Sequence, residues 1–128
     1  MKTESFQQKM FEELYSKEFF KLAHNHAQTY LDSAKERAVY PVMSAIKNLE
    51  VFDENMPVDS NEGKGIIELL NAIGSQATIN TLNGRYFGFV TGGSLPIGIA
   101  TKHLTTYWDQ NSALHAMSPV ASRLETIV

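Results

Sequence analysis

Apolar side chains in the first forty residues fall into two helical stripes. Phe6, Met10 and Leu14 recur at i, i+4 and i+8, while Phe11, Tyr15, Phe19 and Leu22 form a second series. The two series are rotated roughly 100° or more from each other on a helix. The spacing predicts helix from about Glu4 to Val39, with a break near Asn25. His26, Ala27, Tyr30, Leu31, Ala34 and Ala38 continue one face of it. Such a broad apolar circumference is hard to cover from one side. The segment is either buried in a small core of its own or clamped between its own subunit and another. Tyr40-Pro41 ends the run, because proline disfavours helical backbone in the residue before it.

A polar connector, Phe52 to Asp59, leads to the next periodic stretch. Asp59 is placed to cap a helix with Glu62 in capping-box position. Ile66, Leu69, Leu70 and Ile73 make its expected buried stripe, and Gly74 suits the position just past its end. Residues 75–83 read as a short helix closing on an Asn83-Gly84 turn, a pair that favours tight turns with positive φ. Arg85 to Val90 is too aromatic for an exposed loop, so an extended segment with Phe87 and Phe89 partly buried is expected. Gly88, Gly92 and Gly93 allow positive φ or close backbone approach there.

A helix starting near Pro96 places Ile97, Ala100, Leu104 and Trp108 on one face, with Lys102 roughly opposite. A last helix has Ser118 as N-cap and Pro119 in the first helical position, where no backbone donor is needed. Val120, Leu124, Ile127 and Val128 form its apolar face. No helix stop signal appears before Val128, which leads us to expect a larger protein.

Composition narrows the classes. The 128 residues fit one domain, and 43% hydrophobic content is that of a globular chain. A formal charge of −3 with no basic cluster leaves no electrostatic footprint for nucleic acid. The absence of cysteine excludes a disulfide framework and thiolate metal sites. The polar start MKTESFQQKM lacks the apolar core of a signal peptide, and no apolar run reaches membrane-spanning length. A soluble, cytoplasmic protein with no membrane or nucleic-acid partner is expected.

Several polar groups invite a chemical role. Thr91-Gly92-Gly93-Ser94 ahead of a helix could present amides to an anion, but it lacks the Lys-Ser/Thr ending of a P-loop and reads better as a turn. His24 and His26 project about 160° apart on a helix, so they make a poor metal pair. His103, His115 and Asp109 have no nucleophile or partner spacing and read as structural. The Asp109-Gln110-Asn111 corner differs. Amide-rich corners are costly to bury without hydrogen bonds, so it should face water, a cavity or a ligand.

Taken in order, four segments carry a family resemblance. They are Arg85-Tyr86-Phe87-Gly88-Phe89, Thr91-Gly92-Gly93-Ser94-Leu95-Pro96, Trp108-Asp109-Gln110-Asn111, and Ser118-Pro119 through Leu124-Glu125. The chain resembles the group II pyridoxal-phosphate-dependent amino-acid decarboxylases, the family of the aromatic amino-acid and glutamate decarboxylases. Weaker similarity runs upstream through Ala38-Val39-Tyr40-Pro41 and Asn61 to Ile73.

The resemblance implies a mainly α-helical N-terminal fragment. Residues 1–83 would be a helical dimerisation segment, and residues 84–128 the opening of the large α/β domain of an aspartate-aminotransferase-like (fold type I) enzyme. It implies a homodimer, an amino-acid substrate, and pyridoxal 5′-phosphate as the cofactor that stabilises the carbanion left by loss of CO₂. It also implies that Phe87, Phe89, Thr91 and Asn111 line the substrate pocket; the competing reading is a loop packed on its own core, with Asn111 as a turn residue.

Two departures matter. Family members place His-Pro where this chain has Asn83-Gly84. The family's cofactor lysine follows a histidine well downstream, whereas the nearest pair here is the reversed Lys102-His103. No catalytic or cofactor-binding residue is therefore assigned, and the 128 residues alone are expected to be inactive and to bind no cofactor. A stand-alone helical association module and a truncated product without function are the competing readings.

Overall fold

The computed structural model describes residues 5–56, 62–89, 91 and 93–128. Asp59 and Asn61, expected at the start of a helix, and Val90 and Gly92, in the aromatic and glycine runs, lie outside the described residues. The described chain is mainly helical and contains no strand. It forms two compact units, Met1–Thr91 and Gly92–Val128.

In the first unit, helix α1 (Phe6–Ser16) begins where Ser5 Oγ accepts from the Gln8 amide at 3.2 Å. It ends at Lys17, whose left-handed backbone (φ 60°, ψ 11°) also begins α2 (Glu18–Ser33). A lysine held there costs on the order of 1–2 kcal/mol. The helical break therefore falls at Lys17, not near Asn25, whose carbonyl accepts from Thr29 Oγ1 inside α2. Residues 34–39 leave the helix as turns, with the Ser33 carbonyl accepting from the amides of Glu36 and Arg37.

A short helix, α3 (Met43–Lys47), follows and tightens into a 3₁₀ turn over Asn48–Phe52. Helix α4 (Gly63–Leu69) widens into a π turn over Leu70–Gly74, then tightens into a 3₁₀ turn over Ser75–Ala77. Glu62 is the residue before α4 and makes no side-chain cap, so it does not take the capping-box role expected of it. Gly74 keeps helical backbone (φ −63°, ψ −48°) instead of ending the helix.

The buried face of α4 also differs from the expected stripe. Of that stripe Ile73 is half-buried, but Ile66, Leu69 and Leu70 are exposed, whereas Gly63, Ile67 and Asn71 are half-buried at i, i+4 and i+8. Close approach of the Phe19 ring to Gly63 sets this face. A Cβ on Gly63 would lie 2.9 Å from two ring carbons, so any larger residue there would force the Phe19 ring on α2 to shift. One residue along from Ile67, Glu68 Oε2 lies 3.1 Å from Nε2 of His26 on α2. Both side chains keep solvent contact, so this pair is worth at most about 1 kcal/mol.

A polar clasp joins the end of α2 to residues 75–86. Asn80 Nδ2 donates to the carbonyls of Ala34 (2.6 Å) and Arg37 (3.3 Å), and the Asn80 amide donates to Val39 O (2.8 Å). Asn83 Nδ2 donates to the same Arg37 carbonyl at 2.9 Å. The Arg37 guanidinium reaches back to Ser75 O (2.9 Å) and Thr78 Oγ1 (3.3 Å) and lies 4.2 Å from the Tyr30 ring centre. Thr78 Oγ1 donates to Ser75 O, so the Tyr30 hydroxyl, 2.7 Å away, is left to donate to Thr78.

The second unit carries α5 (Pro96–Thr106) and α6 (Pro119–Ile127). Both start with proline in the first turn, as the sequence predicts. Ser118 is fully buried and caps α6, its Oγ accepting from the Ala121 amide at 3.4 Å. The apolar faces expected on both helices are uncovered, with Ile97, Leu104, Trp108, Val120, Leu124 and Ile127 all exposed.

Burial in both units is thus inverted from the usual pattern. Among the described residues, the buried apolar side chains are the alanines Ala34 and Ala45, while Asn80, Asn83 and Ser118 are buried polar groups. Directional bonds hold the geometry where a core would otherwise do so. Asn80→Ala leaves the Ala34 carbonyl without its amide donor and should destabilise the first unit by about 2 kcal/mol. Chemical denaturation followed by circular dichroism checks this; a loss below about 0.5 kcal/mol would mean that the clasp does not hold the unit together.

Candidate functional site

The loop that bears the predicted pocket residues grows out of the clasp. Asn83 Oδ1 accepts from the Arg85 amide at 2.9 Å, and the Tyr86 amide donates to the Asn83 carbonyl at 2.9 Å. This is a turn made with an asparagine side chain. Neither Asn83 nor Gly84 adopts the positive φ expected of an Asn-Gly pair, because the Asn83 side chain already supplies the turn-closing acceptor.

Beyond the turn, Tyr86 folds back over Gly88. A Cβ on Gly88 would sit 3.1–3.2 Å from the Tyr86 hydroxyl and ring, so the small residue makes room for the ring. Phe89 then takes a left-handed backbone (φ 45°), a conformation expected of the glycines. Phe87 and Phe89 are 93% and 94% exposed, which corrects the expectation that they are partly buried. Tyr86, half-buried, takes the packed position instead, and the segment has no neighbouring strand to cover alternate side chains. Thr91 is exposed and belongs, like the two phenylalanines, to the first unit.

Asn111 lies in the second unit, on an exposed corner that follows α5. Asp109 is left-handed (φ 48°), which Asp tolerates better than most residues. Gln110 Nε2 donates to Trp108 O at 2.9 Å, and Asn111 Oδ1 accepts from the Ala113 amide at 3.0 Å. The corner faces solvent and builds its own turn, so Asn111 has the local bonding of a turn residue.

A shallow groove elsewhere runs along α1, lined in part by Ser5, Gln8, Phe11, Glu12 and Tyr15. The Phe11 and Tyr15 rings stack there, 6.4 Å between centres with 18° between planes. None of the four predicted pocket residues lines this groove.

Among the described residues, no lysine sits where a cofactor imine would need it. A lysine that forms one is held where its amine is desolvated. Lys102 lies exposed on α5, and the other described lysines are exposed or, at Lys9, half-buried. Among the described residues, no group of three or more His, Asp or Glu side chains could hold a metal. No described helix is long and apolar enough to cross a membrane.

No protein-family model, curated protein or solved structure matches the chain. The features that sequence reasoning missed are Arg37, Asn80 and Tyr86. The run Asn80-Thr81-Leu82-Asn83-Gly84, with two asparagines three apart beside a turn, is the signal that could have pointed to the clasp.

Phe89 gives a direct test of this loop. Phe89→Gly relieves the left-handed backbone without removing a buried contact, so it should stabilise the first unit by about 1 kcal/mol. Thermal melting reads this as a higher Tm; a lower Tm would mean that the ring is packed.

Proposed function

We propose that these residues are the N-terminal portion of a pyridoxal-phosphate-dependent amino-acid decarboxylase. In this reading α1 and α2 offer a surface to a second copy of the chain, and residues from Gly84 onward open an aspartate-aminotransferase-like α/β domain. Phe87, Phe89, Thr91 and Asn111 face the amino-acid substrate in the dimer. The cofactor and its lysine belong to other parts of the polypeptide, and the enzyme works in the cytoplasm.

The observation that carries the proposal is the pair of aromatic rings on one short loop, both more than nine-tenths exposed, one of them on strained backbone. Burying a phenylalanine is worth about 1.5–3 kcal/mol, so such rings favour a covering ligand or subunit. The ordered motifs from Arg85 to Glu125 supply the chemical identity of that covering. A second reading, an association module without catalysis, is favoured by α1, where Phe6, Met10, Phe11, Leu14 and Tyr15 are all exposed.

The 128 residues, mixed with pyridoxal phosphate and reduced with borohydride, should yield no stoichiometric lysine adduct; a stoichiometric adduct would contradict this division of labour. The polypeptide encoded by the uninterrupted reading frame should release CO₂ from an amino acid when pyridoxal phosphate is present. In it, Phe87→Ala should lower kcat/KM about 10-fold. An unchanged kcat/KM would overturn the pocket assignment, and a full-frame product with no decarboxylation would favour the association module.

A further inference from the structure

Asn83 precedes Gly84, the residue type that least shields its own amide nitrogen, and a Cβ built on Gly84 would meet nothing within 4 Å. In an open chain this pair is chemically labile. The Gly84 nitrogen, after losing its proton to hydroxide, attacks Asn83 Cγ. A Cγ–N bond forms, the Cγ–Nδ2 bond breaks, and ammonia leaves after taking a proton from water. Water then opens the five-membered imide at either carbonyl, giving aspartate or its β-linked isomer. The net change consumes one water and releases one ammonia, with no oxidant or reductant.

The closed clasp opposes each part of this reaction. Asn83 is only 7% exposed. The leaving Nδ2 is held by the Arg37 carbonyl at 2.9 Å, and Oδ1 is held by the Arg85 amide at 2.9 Å. The backbone on either side is also fixed, with Asn83 N donating to Asn80 O at 3.3 Å and Asn83 O accepting from Tyr86 N at 2.9 Å. Swinging Cγ onto the Gly84 nitrogen breaks at least the Arg37 and Arg85 bonds. The rate is then set by how often the clasp opens.

The product cannot restore what was lost. A carboxylate carries no donor, so one of its oxygens would face the Arg37 carbonyl oxygen where an N–H now sits. The β-linked isomer also lengthens the main chain between Asn80, whose carbonyl accepts from the Asn83 amide, and Tyr86, whose amide donates to the Asn83 carbonyl. We propose that Asn83 is a conformationally gated deamidation site, protected while the clasp is closed and converted once it opens, with a product that keeps the clasp from closing again. The modification thereby records the time that the first unit has spent open.

Asn111-Ser112 provides an internal reference on an exposed corner, where the Ala113 amide on Oδ1 is a local bond. The test incubates the full chain at constant, mildly alkaline pH in buffer and in urea. Peptide mass spectrometry follows the amide-to-acid mass change at both asparagines, and isoaspartyl methyltransferase labelling detects the β-linked product. Asn83 should convert about 10-fold or more slowly in buffer than in urea, while Asn111 changes by less than about 3-fold. Equal Asn83 rates in the two media would overturn the gating. Asn83→Asp should abolish hydrogen-exchange protection of the Asn80 amide, and Asn111→Asp should leave it intact. Retained protection in Asn83→Asp would overturn the claim that the product holds the clasp open.

Discussion

The last carbonyls of a helix have no partner within it, and in α2 two of the groups at and just beyond that end are satisfied from far along the chain. Asn80 and Asn83 supply the donors to Ala34 O and Arg37 O across a sequence separation of 43 to 46 residues. Each such bond is worth about 1 kcal/mol net, but a buried carbonyl left bare costs about 1–3 kcal/mol. The arrangement is therefore held more firmly than a count of bonds would suggest. It also fixes the exit from α2, the position of residues 75–77 and the turn at Asn83, from which the aromatic loop departs. Arg37 Nε and Asn80 Oδ1 are buried in the same cluster and make no hydrogen bond, so part of the gain is offset.

Directional bonding of this kind places elements without burying much apolar surface. Two alanines form the buried apolar set among the described residues, while phenylalanines, leucines and a tryptophan lie on the outside. Apolar side chains grouped on an exposed surface are characteristic of one that another molecule covers. The clasp and the uncovered faces thus belong to one account. The polar cluster sets where the aromatic loop leaves the first unit, and in the proposed reading a second subunit and the substrate cover the exposed side chains. That division is compatible with the proposed decarboxylase segment, in which subunit and substrate provide the cover.

How much of this was legible in the sequence depended on the range of the interaction. Ser118-Pro119 and Pro96 were read correctly because a cap and a first-turn proline act within three or four residues. The cost of burying amides leaves the Asp109–Asn111 corner to face water, a cavity or a ligand without choosing among them, and the corner lies exposed and builds its own turn. The break at Lys17 was not legible, since no glycine or proline marks it. The face of α4 is only partly legible, with Ile73 half-buried but Ile66, Leu69 and Leu70 exposed, because the Phe19–Gly63 contact rather than apolar spacing decides which side meets α2. Phe87 and Phe89 were expected to be partly buried because aromatic side chains usually are. The tertiary fact that Tyr86 takes the packed position beside Gly88 cannot be read from residue type.

Amide hydrogen exchange of the 128-residue chain, resolved by residue, decides whether the polar clasp is the stable centre of the first unit. The account predicts that the slowest amides of the first unit cluster at Asn80, Asn83, Arg85 and Tyr86, all bonded within the clasp and its turn. It predicts faster exchange along α1, which has no buried residue. Protection of α1 equal to or greater than that of residues 80–86 would contradict it, because the apolar helix rather than the polar clasp would then be the stable centre.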